Sequence, residues 1–132
     1  MRICLAVLAF VTLAFDLSAK PYSSATLDKI GTGDVTNYYN KEVIVTGTVA
    51  QVSIRPKITF LNMDKPYPDS PFTLVILSAA TNQFSDIKAL RGMSVEATGV
   101  ITNYHGRAEI VLEKSNQLEV VGPAPTNAAP AP

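Results

Sequence analysis

Through the body of the chain, hydrophobic residues recur mostly at every second position, which is the period of a β-strand. The longest such run, Glu42–Ile54, is rich in β-branched residues and changes phase along its length. Val43 and Val49 lie on one face of the run, whereas Val52 falls on the other. This phase change, in a segment that also contains Gly47, predicts a long strand with a bulge or a sharp bend.

Shorter segments with the pattern of strands follow this run. They are Ile58–Met63, Phe72–Leu77, Met93–Thr102 and Arg107–Leu112, with Gln117–Val121 as a closing extension. The uninterrupted apolar run at 72–77 is typical of a strand that is buried on both faces. The segment 64–71 contains three prolines, which lack the N–H that a strand needs, so we predict a loop there.

The period changes between Thr81 and Leu90, where Phe84, Ile87 and Leu90 lie three residues apart. This spacing predicts one short helix with an apolar face. A long bent strand, two further strands, a helix and a two-strand hairpin form the plan of the OB fold, in which the helix plugs one end of the barrel. We therefore predict an all-β domain with one short helix, a five-stranded OB-fold Greek-key barrel. An SH3-like barrel is the alternative, and the helix argues against it.

The N-terminal end of the chain has a different pattern from the body. Residues 1–19 carry a positive charge at Arg2, then thirteen uncharged residues that Asp16 ends, and then the small residues Ser18 and Ala19. This is the plan of a secretory signal peptide that is cleaved after Ala19. Thirteen helical residues span about 20 Å, short of the roughly 30 Å hydrocarbon core of a membrane. We expect a secreted or periplasmic protein with no membrane anchor after signal cleavage.

The C-terminal end, residues 122–132, contains four prolines and no charged side chain. Such a segment buries too little apolar surface to offset its ordering entropy, so we predict a disordered Pro/Ala-rich tail. A spacer, or a docking segment for a proline-recognising partner, is the functional alternative. Residues 20–34 are then an N-terminal lead-in, and residues 35–121 are the predicted OB-fold domain.

Composition limits the possible chemistry. The chain has 132 residues, of which 47% are hydrophobic and 17% charged, as expected for one small globular domain. Eleven Lys and Arg balance eleven Asp and Glu, which argues against a polybasic protein that coats DNA. The single cysteine, Cys4, lies in the N-terminal apolar run, so the body has neither a disulfide nor a Cys-based zinc site. His105 is the only histidine, and we expect no metal site and no cofactor.

Several segments together resemble a family of small bacterial OB-fold domains. The matching segments are Phe60–Asn62, Lys65–Pro68, Phe72–Ile76, Gly99–Gly106, Glu109–Leu112 and Gln117–Leu118. The likeness covers roughly residues 35–121. The chain departs from the family at Asn40-Lys41, where the family tends to have Gly-Lys, although Asn also tolerates the left-handed conformation. The resemblance implies an OB fold and, by analogy with the fold alone, nucleic-acid binding.

An OB fold binds ligands along its second and third strands and between two of its loops. Single-stranded nucleic acid requires cations for the phosphates and flat rings for base stacking. The residues that we predict to form such a site are Arg55, Lys57, Phe60, Asn62, Lys65, Tyr67, Phe72, Thr73, Tyr104, His105 and Arg107. Because Asp64 and Asp69 offset some of these cations, we expect weak binding that salt diminishes.

The same residues also have purely structural interpretations. Phe60 and Phe72 can fill the barrel core, and Tyr67 can pack against its own loop. Arg55 and Arg107 can be ordinary solvated charges.

No catalytic constellation is evident in the sequence. It has no nucleophile elbow, no Gly-rich phosphate loop and no Asp/Arg/Glu set like that of the staphylococcal-type OB-fold nucleases. We therefore predict a binding module and not an enzyme, exported and contacting single-stranded DNA or RNA or a similar extended anionic ligand. The alternative is a periplasmic interaction or stress-associated module that binds an envelope protein, a small molecule or an oligosaccharide. Neutral charge and export favour the alternative, and the motifs favour nucleic acid.

Overall fold

The computed structural model describes residues 26–124, and this range contains eight strands connected in part by short 3-10 helices. The strands are β1 (Lys29–Gly31), β2 (Glu42–Ile54), β3 (Ile58–Met63), β4 (Phe72–Leu77), β5 (Met93–Val100), β6 (Thr102–Tyr104), β7 (Arg107–Leu112) and β8 (Leu118–Pro123). The 3-10 helices are Thr32–Tyr38, Ser78–Gln83, Ile87–Leu90 and Ser115–Gln117. The predicted signal peptide and residues 125–132 of the predicted tail lie outside the described residues.

The strands form one mixed, curled sheet. Its hydrogen-bonded order is β6-β7-β4-β3-β2-β5-β8, and β1 pairs with β2 beside this path. The β1–β2 and β4–β7 pairs are parallel, and the other pairs are antiparallel. Only Ile101 separates β5 from β6, although β6 lies at one end of the path and β5 near the other. The sheet therefore curls until the chain passes directly from pairing with β2 to pairing with β7, without closing the ladder of hydrogen bonds.

Strand β2 contains the predicted bulge. Val49 pairs with Met63 but Gln51 pairs with Asn62, so Ala50 is an extra residue on β2. The bulge explains the phase change in the sequence, because it turns every later side chain of β2 to the opposite face. It does not lie at Gly47, which pairs regularly with a residue of β5.

The core fills the inside of the curled sheet. Its largest fully buried side chains are Phe72, Leu61, Met63, Leu74, Ile76, Ile101, Ile110 and Leu112, followed by Val35, Val43, Val45 and Val49. Two distant strands, β5 and β7, approach closely at Gly99 and Ile110. A Cβ atom added at Gly99 would lie 2.6 Å from the Ile110 Cγ2 atom. The absence of a side chain at Gly99 therefore allows the curvature that brings these strands together.

The predicted helix over 81–90 differs in the structure. No α-helix occurs among residues 26–124. The segment 81–90 instead contains the end of one 3-10 helix, Ser78–Gln83, and all of a second, Ile87–Leu90. Asp86 separates them in the left-handed conformation, with φ 51°. The apolar spacing of three residues suits the 3-10 helix, which has three residues per turn. Phe84 and Ile87 still pack against the core, as the pattern requires.

The prediction of five strands is not confirmed. The predicted strand 93–102 is interrupted at Ile101, and β1 and β8 add strands at the margins of the sheet. Strand β1 lies within the predicted lead-in, and its Ile30 is part of the core. At the other end, Gly122 and Pro123, predicted to begin the tail, belong to β8. No helix between residues 26 and 124 is long and apolar enough to cross a membrane.

Replacing Gly99 by Ala is expected to lower the free energy of unfolding by about 1–3 kcal/mol, because the new methyl group overlaps a core side chain in a packed region. The matched control is Gly33→Ala, since nothing lies within 4 Å of a Cβ at that exposed position. The control is expected to stay within about 1 kcal/mol of the original protein. Urea unfolding measures both, and equal stability of the two variants would contradict the close packing of β5 on β7.

Candidate nucleic-acid interface

A groove of about 430 Å³ lies on the outer face of the curled sheet, over β2, β3, β4 and β7. We refer to this surface as the groove. Its lining residues are Gln51, Ser53, Arg55, Phe60, Asn62, Tyr67, Thr73, Tyr104, His105, Arg107 and Glu109. Eight of the eleven predicted site residues are therefore brought together on one surface.

The strand registers place four polar residues side by side across the floor of the groove. Gln51 of β2 pairs with Asn62 of β3, and Asn62 pairs with Thr73 of β4. Thr73 in turn pairs with Glu109 of β7. We call these four residues the polar row.

A second, mainly apolar row lies next to the polar row, two residues along each strand. Ser53 pairs with Phe60, Phe60 with Val75, and Val75 with Val111. Phe60 is half-buried and lines the groove, so part of its side chain is open to a ligand. A flat ligand ring that stacks on Phe60 would have the polar row beside it.

Hydrogen bonds fix the orientation of the side-chain amides in the polar row. The Thr73 hydroxyl donates to Asn62 Oδ1 at 3.0 Å, and Asn62 Nδ2 donates to Gln51 Oε1 at 2.9 Å. The backbone N–H of Tyr67 also donates to Gln51 Oε1, at 3.0 Å. Because a backbone N–H can only donate, the atom of Gln51 that faces it must be the oxygen. The direction of the whole chain of hydrogen bonds follows from this contact.

Aromatic and basic side chains form the walls of the groove. The Arg107 guanidinium carbon lies 4.3 Å from the centre of the Tyr67 ring, a cation–π contact between β7 and the loop 64–71. The Tyr104 and His105 rings meet edge to face, with their centres 4.4 Å apart. Tyr67 is 63% exposed and Tyr104 58%, so both present ring surface to a ligand.

Glu109 places a carboxyl group in the floor of the groove, at the β7 end of the polar row. Burial raises the pKa of this carboxyl above its ordinary value, because the charged form loses hydration there. Within residues 26–124, the one salt bridge joins Lys29 to Glu96, and no side chain donates a hydrogen bond to the Glu109 carboxylate. Among the described residues, the Glu109 carboxylate therefore faces the groove as an acceptor without a side-chain donor.

Three predicted site residues do not line the groove. Phe72 is 1% exposed and belongs to the core, so its assignment as a base-stacking residue is wrong. The reason is strand alternation: Thr73 points into the groove, and its neighbour must point inward. Lys57 and Lys65 are exposed, in the β2–β3 turn and in the loop 64–71, but neither lines the groove.

Sequence reasoning missed Gln51, Ser53 and Glu109. The period-two pattern could have found Glu109, because it lies two residues after Arg107 on the same strand face. Gln51 and Ser53 required the position of the bulge, which the sequence did not locate. Within residues 26–124, no group of three or more His, Cys, Asp or Glu side chains could hold a metal ion.

The sequence matches no protein-family model and no curated protein. Solved structures do resemble it. An aspartyl-tRNA synthetase from Entamoeba histolytica is 15% identical with a TM-score of 0.53, over 78% of this chain and 23% of that chain. An asparaginyl-tRNA synthetase from Pyrococcus horikoshii is 20% identical with a TM-score of 0.51, over 74% of this chain and 24% of that chain. The OBody AM1L10, bound to hen egg-white lysozyme, is 18% identical with a TM-score of 0.53, over 69% of this chain and 90% of that chain.

These similarities define the class of the domain. The chain spans about a quarter of each synthetase but nearly all of the OBody. At such identities the likeness concerns the fold alone. The protein is thus a mostly β domain with a mixed sheet, whose structural neighbours are OB-fold domains.

Replacing Glu109 by Gln is expected to stabilise the protein near pH 7 and much less near pH 4. Folding raises the pKa of this carboxyl, so the unfolded chain loses the proton at a lower pH than the folded protein does. Stability therefore falls as the pH rises between the two pKa values, and the full cost is present above the folded-state pKa. Gln carries no charge and avoids this cost.

Urea unfolding at about pH 4 and about pH 7, on either side of the range in which glutamates with raised pKa values titrate, measures this difference. Glu119→Gln, at an exposed position of β8, controls for the loss of a surface carboxylate. The same gain from Glu109→Gln at both pH values would contradict the assignment of a buried carboxyl in the groove.

Proposed function

We propose that this protein is an exported single-domain binding module that holds a single-stranded segment of DNA or RNA in the groove. The observation that carries the proposal is the convergence of three aromatic rings and two arginines on one face of an OB-type sheet. Phe60, Tyr67 and Tyr104 supply the rings, and Arg55 and Arg107 supply the cations.

The chemistry of the groove suits a nucleic acid strand. A base that stacks on an aromatic side chain gains roughly 1–3 kcal/mol, and every base has a face that can stack. Phe60 in the floor and Tyr67 and Tyr104 at the walls offer such surfaces at separate points. Arg55 directly follows β2 and Arg107 begins β7, so they can contact phosphates on both sides of a bound strand.

The structural neighbours support a nucleic acid partner. Two of them are named as tRNA synthetases, proteins that act on tRNA. Since this chain covers only about a quarter of their length, we do not extend their enzymatic activity to it. Ser53, His105 and Glu109 of the groove form no hydrogen bonds with one another through their side chains.

The charge of the groove sets the expected strength of binding. Two arginines face one carboxyl group, and the chain as a whole has no net charge. Few phosphates are neutralised, so affinity depends mainly on stacking and on hydrogen bonds to the bases. We expect micromolar dissociation constants, in the range of non-specific nucleic acid binding.

A protein ligand is the second candidate. The OBody that resembles this chain over 90% of its own length is bound to lysozyme, so a domain of this shape can hold a protein surface. The neutral charge of the chain also fits a protein or an oligosaccharide in the cell envelope. The exposed Tyr67 and Tyr104 would serve as aromatic anchors for such a ligand.

The double variant Arg55→Ala, Arg107→Ala is expected to weaken binding of labelled single-stranded DNA and RNA at least tenfold at low salt. It is also expected to reduce the slope of log affinity against log salt by about 1.4, because each phosphate contact on a single strand contributes about 0.7. Fluorescence anisotropy at about 50 mM and about 200 mM salt measures both effects.

A matched control removes two cations elsewhere. Lys88 and Arg91 are exposed and lie outside the groove, so Lys88→Ala, Arg91→Ala carries the same change of charge. Equal losses in the two double variants would show that binding reflects overall charge and not the groove. Absence of binding by the unaltered protein, even at low salt, would refute the nucleic acid proposal and leave the protein or oligosaccharide ligand.

Export is tested separately. Signal peptidase is expected to cleave after Ala19, so the protein recovered from the periplasm or the medium should begin at Lys20. N-terminal sequencing of that material measures the cleavage site. Replacing Ala19 by Arg, which places a large charged residue at the cleavage position, should leave the leader attached. Recovery of the unprocessed chain from the cytoplasm in both cases would contradict export.

A further inference from the structure

The loop 64–71 carries Tyr67 to the wall of the groove, and hydrogen bonds tie each end of this loop to the neighbouring strands. At its start, the Asp64 N–H donates to the Thr48 backbone oxygen at 2.7 Å, and the Thr48 N–H donates to Asp64 Oδ1 at 2.9 Å. At its end, the Ser70 hydroxyl donates to a backbone oxygen of β4 at 2.6 Å. The strands therefore fix where the loop begins and ends.

Two contacts at Tyr67 connect the middle of the loop to the strands under the groove. The Tyr67 backbone N–H donates to Gln51 Oε1 at 3.0 Å, and the Arg107 guanidinium carbon lies 4.3 Å from the centre of the Tyr67 ring. Gln51 belongs to β2 and Arg107 to β7, the outermost of the four strands under the groove. Tyr67 is thus held by its backbone from one side and by its ring from the other, although its side chain is exposed.

The polar row holds the Gln51 amide with its oxygen toward the loop. Asn62 Nδ2 donates to the same oxygen at 2.9 Å, and the Thr73 hydroxyl donates to Asn62 Oδ1 at 3.0 Å. Turning the Gln51 amide over would set its NH₂ group against two donors, one of them on the buried Asn62. Because an unpaired donor at a buried residue costs free energy, the amide keeps its acceptor where the loop presents the Tyr67 N–H.

The contact between the ring and the guanidinium does not fix Tyr67 by itself. A cation–π contact at an exposed position is weak, and an arginine side chain has many rotamers. The Tyr67 ring, in contrast, turns about only two bonds once its backbone is held. The backbone anchor at Gln51 therefore limits the positions that the ring can take, and Arg107 selects among them.

We propose that Gln51 is a positioning residue for ligand binding, whose amide oxygen holds the Tyr67 backbone so that the Tyr67 ring lies on Arg107 as a preformed stacking surface. This inference rests on the proposed function, because it assigns the preparation of the groove for a base to a residue that need not touch the base. A side chain that becomes ordered during binding reduces affinity. A hydrogen bond from a paired strand orders Tyr67 on folding, before the ligand arrives.

The first arm of the test needs no ligand. The chain has no tryptophan, so Tyr67→Trp introduces a single fluorescent reporter whose ring can keep the contact with Arg107. In this background, Gln51→Leu should lower the fluorescence anisotropy of the tryptophan, because the loop loses its acceptor. Gln51→Glu should preserve the anisotropy, since a carboxylate oxygen also accepts the N–H. The matched control, Gln83→Leu, alters an exposed glutamine outside the groove and should leave the anisotropy unchanged.

The second arm measures the binding of labelled single-stranded DNA and RNA by the full chain. Gln51→Leu should weaken binding about threefold to tenfold, the effect of ordering one side chain on association. Tyr67→Leu should weaken it about fivefold or more, through the loss of stacking. In the double variant these two losses should not multiply, because a ring that is no longer held contributes less to binding.

Gln51→Asn keeps the test decisive if Gln51→Leu fails to fold. This variant retains an amide but withdraws it by one carbon–carbon bond, about 1.5 Å, which takes it out of reach of the Tyr67 N–H. The same loss of anisotropy and of affinity is expected from it. Urea unfolding of each variant shows whether it is folded.

Unchanged tryptophan anisotropy in the folded Gln51 variants would overturn the inference. Losses of affinity that multiply fully in the double variant would do the same, since Gln51 and Tyr67 would then act independently. Binding by Tyr67→Leu as tight as that of the unaltered protein would also overturn it. The proposed function survives each of these results, provided that the unaltered protein binds a strand. Failure of the unaltered protein to bind any strand refutes the proposed function, and the anisotropy arm still decides whether Gln51 holds the loop.

Discussion

The extra residue at Ala50 determines which chemistry the outer face of the sheet carries. Before it, β2 turns alternate valines such as Val45 and Val49 into the core. In a strand without the bulge, the same alternation would bury Gln51 and Ser53. The bulge reverses the phase, so Val52 packs against the core and the polar side chains face outward. One inserted residue thus avoids burying unpaired polar groups and builds one side of the groove.

The other side of the groove depends on the curvature of the sheet. Strand β7 belongs beside β4, yet the curl also brings it against β5, where Gly99 leaves room for Ile110. Because β7 is held on both sides, its outward residues, including Arg107 and Glu109, have fixed positions relative to β2 and β3. The groove therefore has a floor of paired strands, and its walls combine the adjoining ends of β6 and β7 with the loop 64–71. Sites built on strands keep the precise geometry that hydrogen bonds to a flat ring require.

The sequence predicted the fold more successfully than the details of the site. Alternation located β2, β3, β4 and β7 within one residue at each end, because hydrophobic period and strand geometry are directly linked. The prediction of one helix over 81–90 was wrong because a spacing of three residues fits both the α-helix and the 3-10 helix. Asp86, in the left-handed conformation, interrupts the segment and leaves two short 3-10 helices. Phe72 was misplaced because a run of consecutive apolar residues does not reveal which face is inward. Only the structure, with Thr73 in the groove, settles that orientation.

The contact between Arg107 and Tyr67 explains why the groove can hold a carboxylate without neutralising it. Arg107 lies two residues from Glu109 on the same strand face, about 6.6–6.8 Å along the strand, yet it forms no ion pair with it. Here the guanidinium stacks on a ring from the loop 64–71, where a partly exposed cation retains its charge and its outward N–H groups. The two charges therefore occupy different parts of the groove. The Arg107 guanidinium lies at the rim, where a phosphate can reach it, and the Glu109 carboxylate lies in the floor. A weakly charged site of this kind favours ligands by the pattern of their hydrogen bonds more than by their total charge.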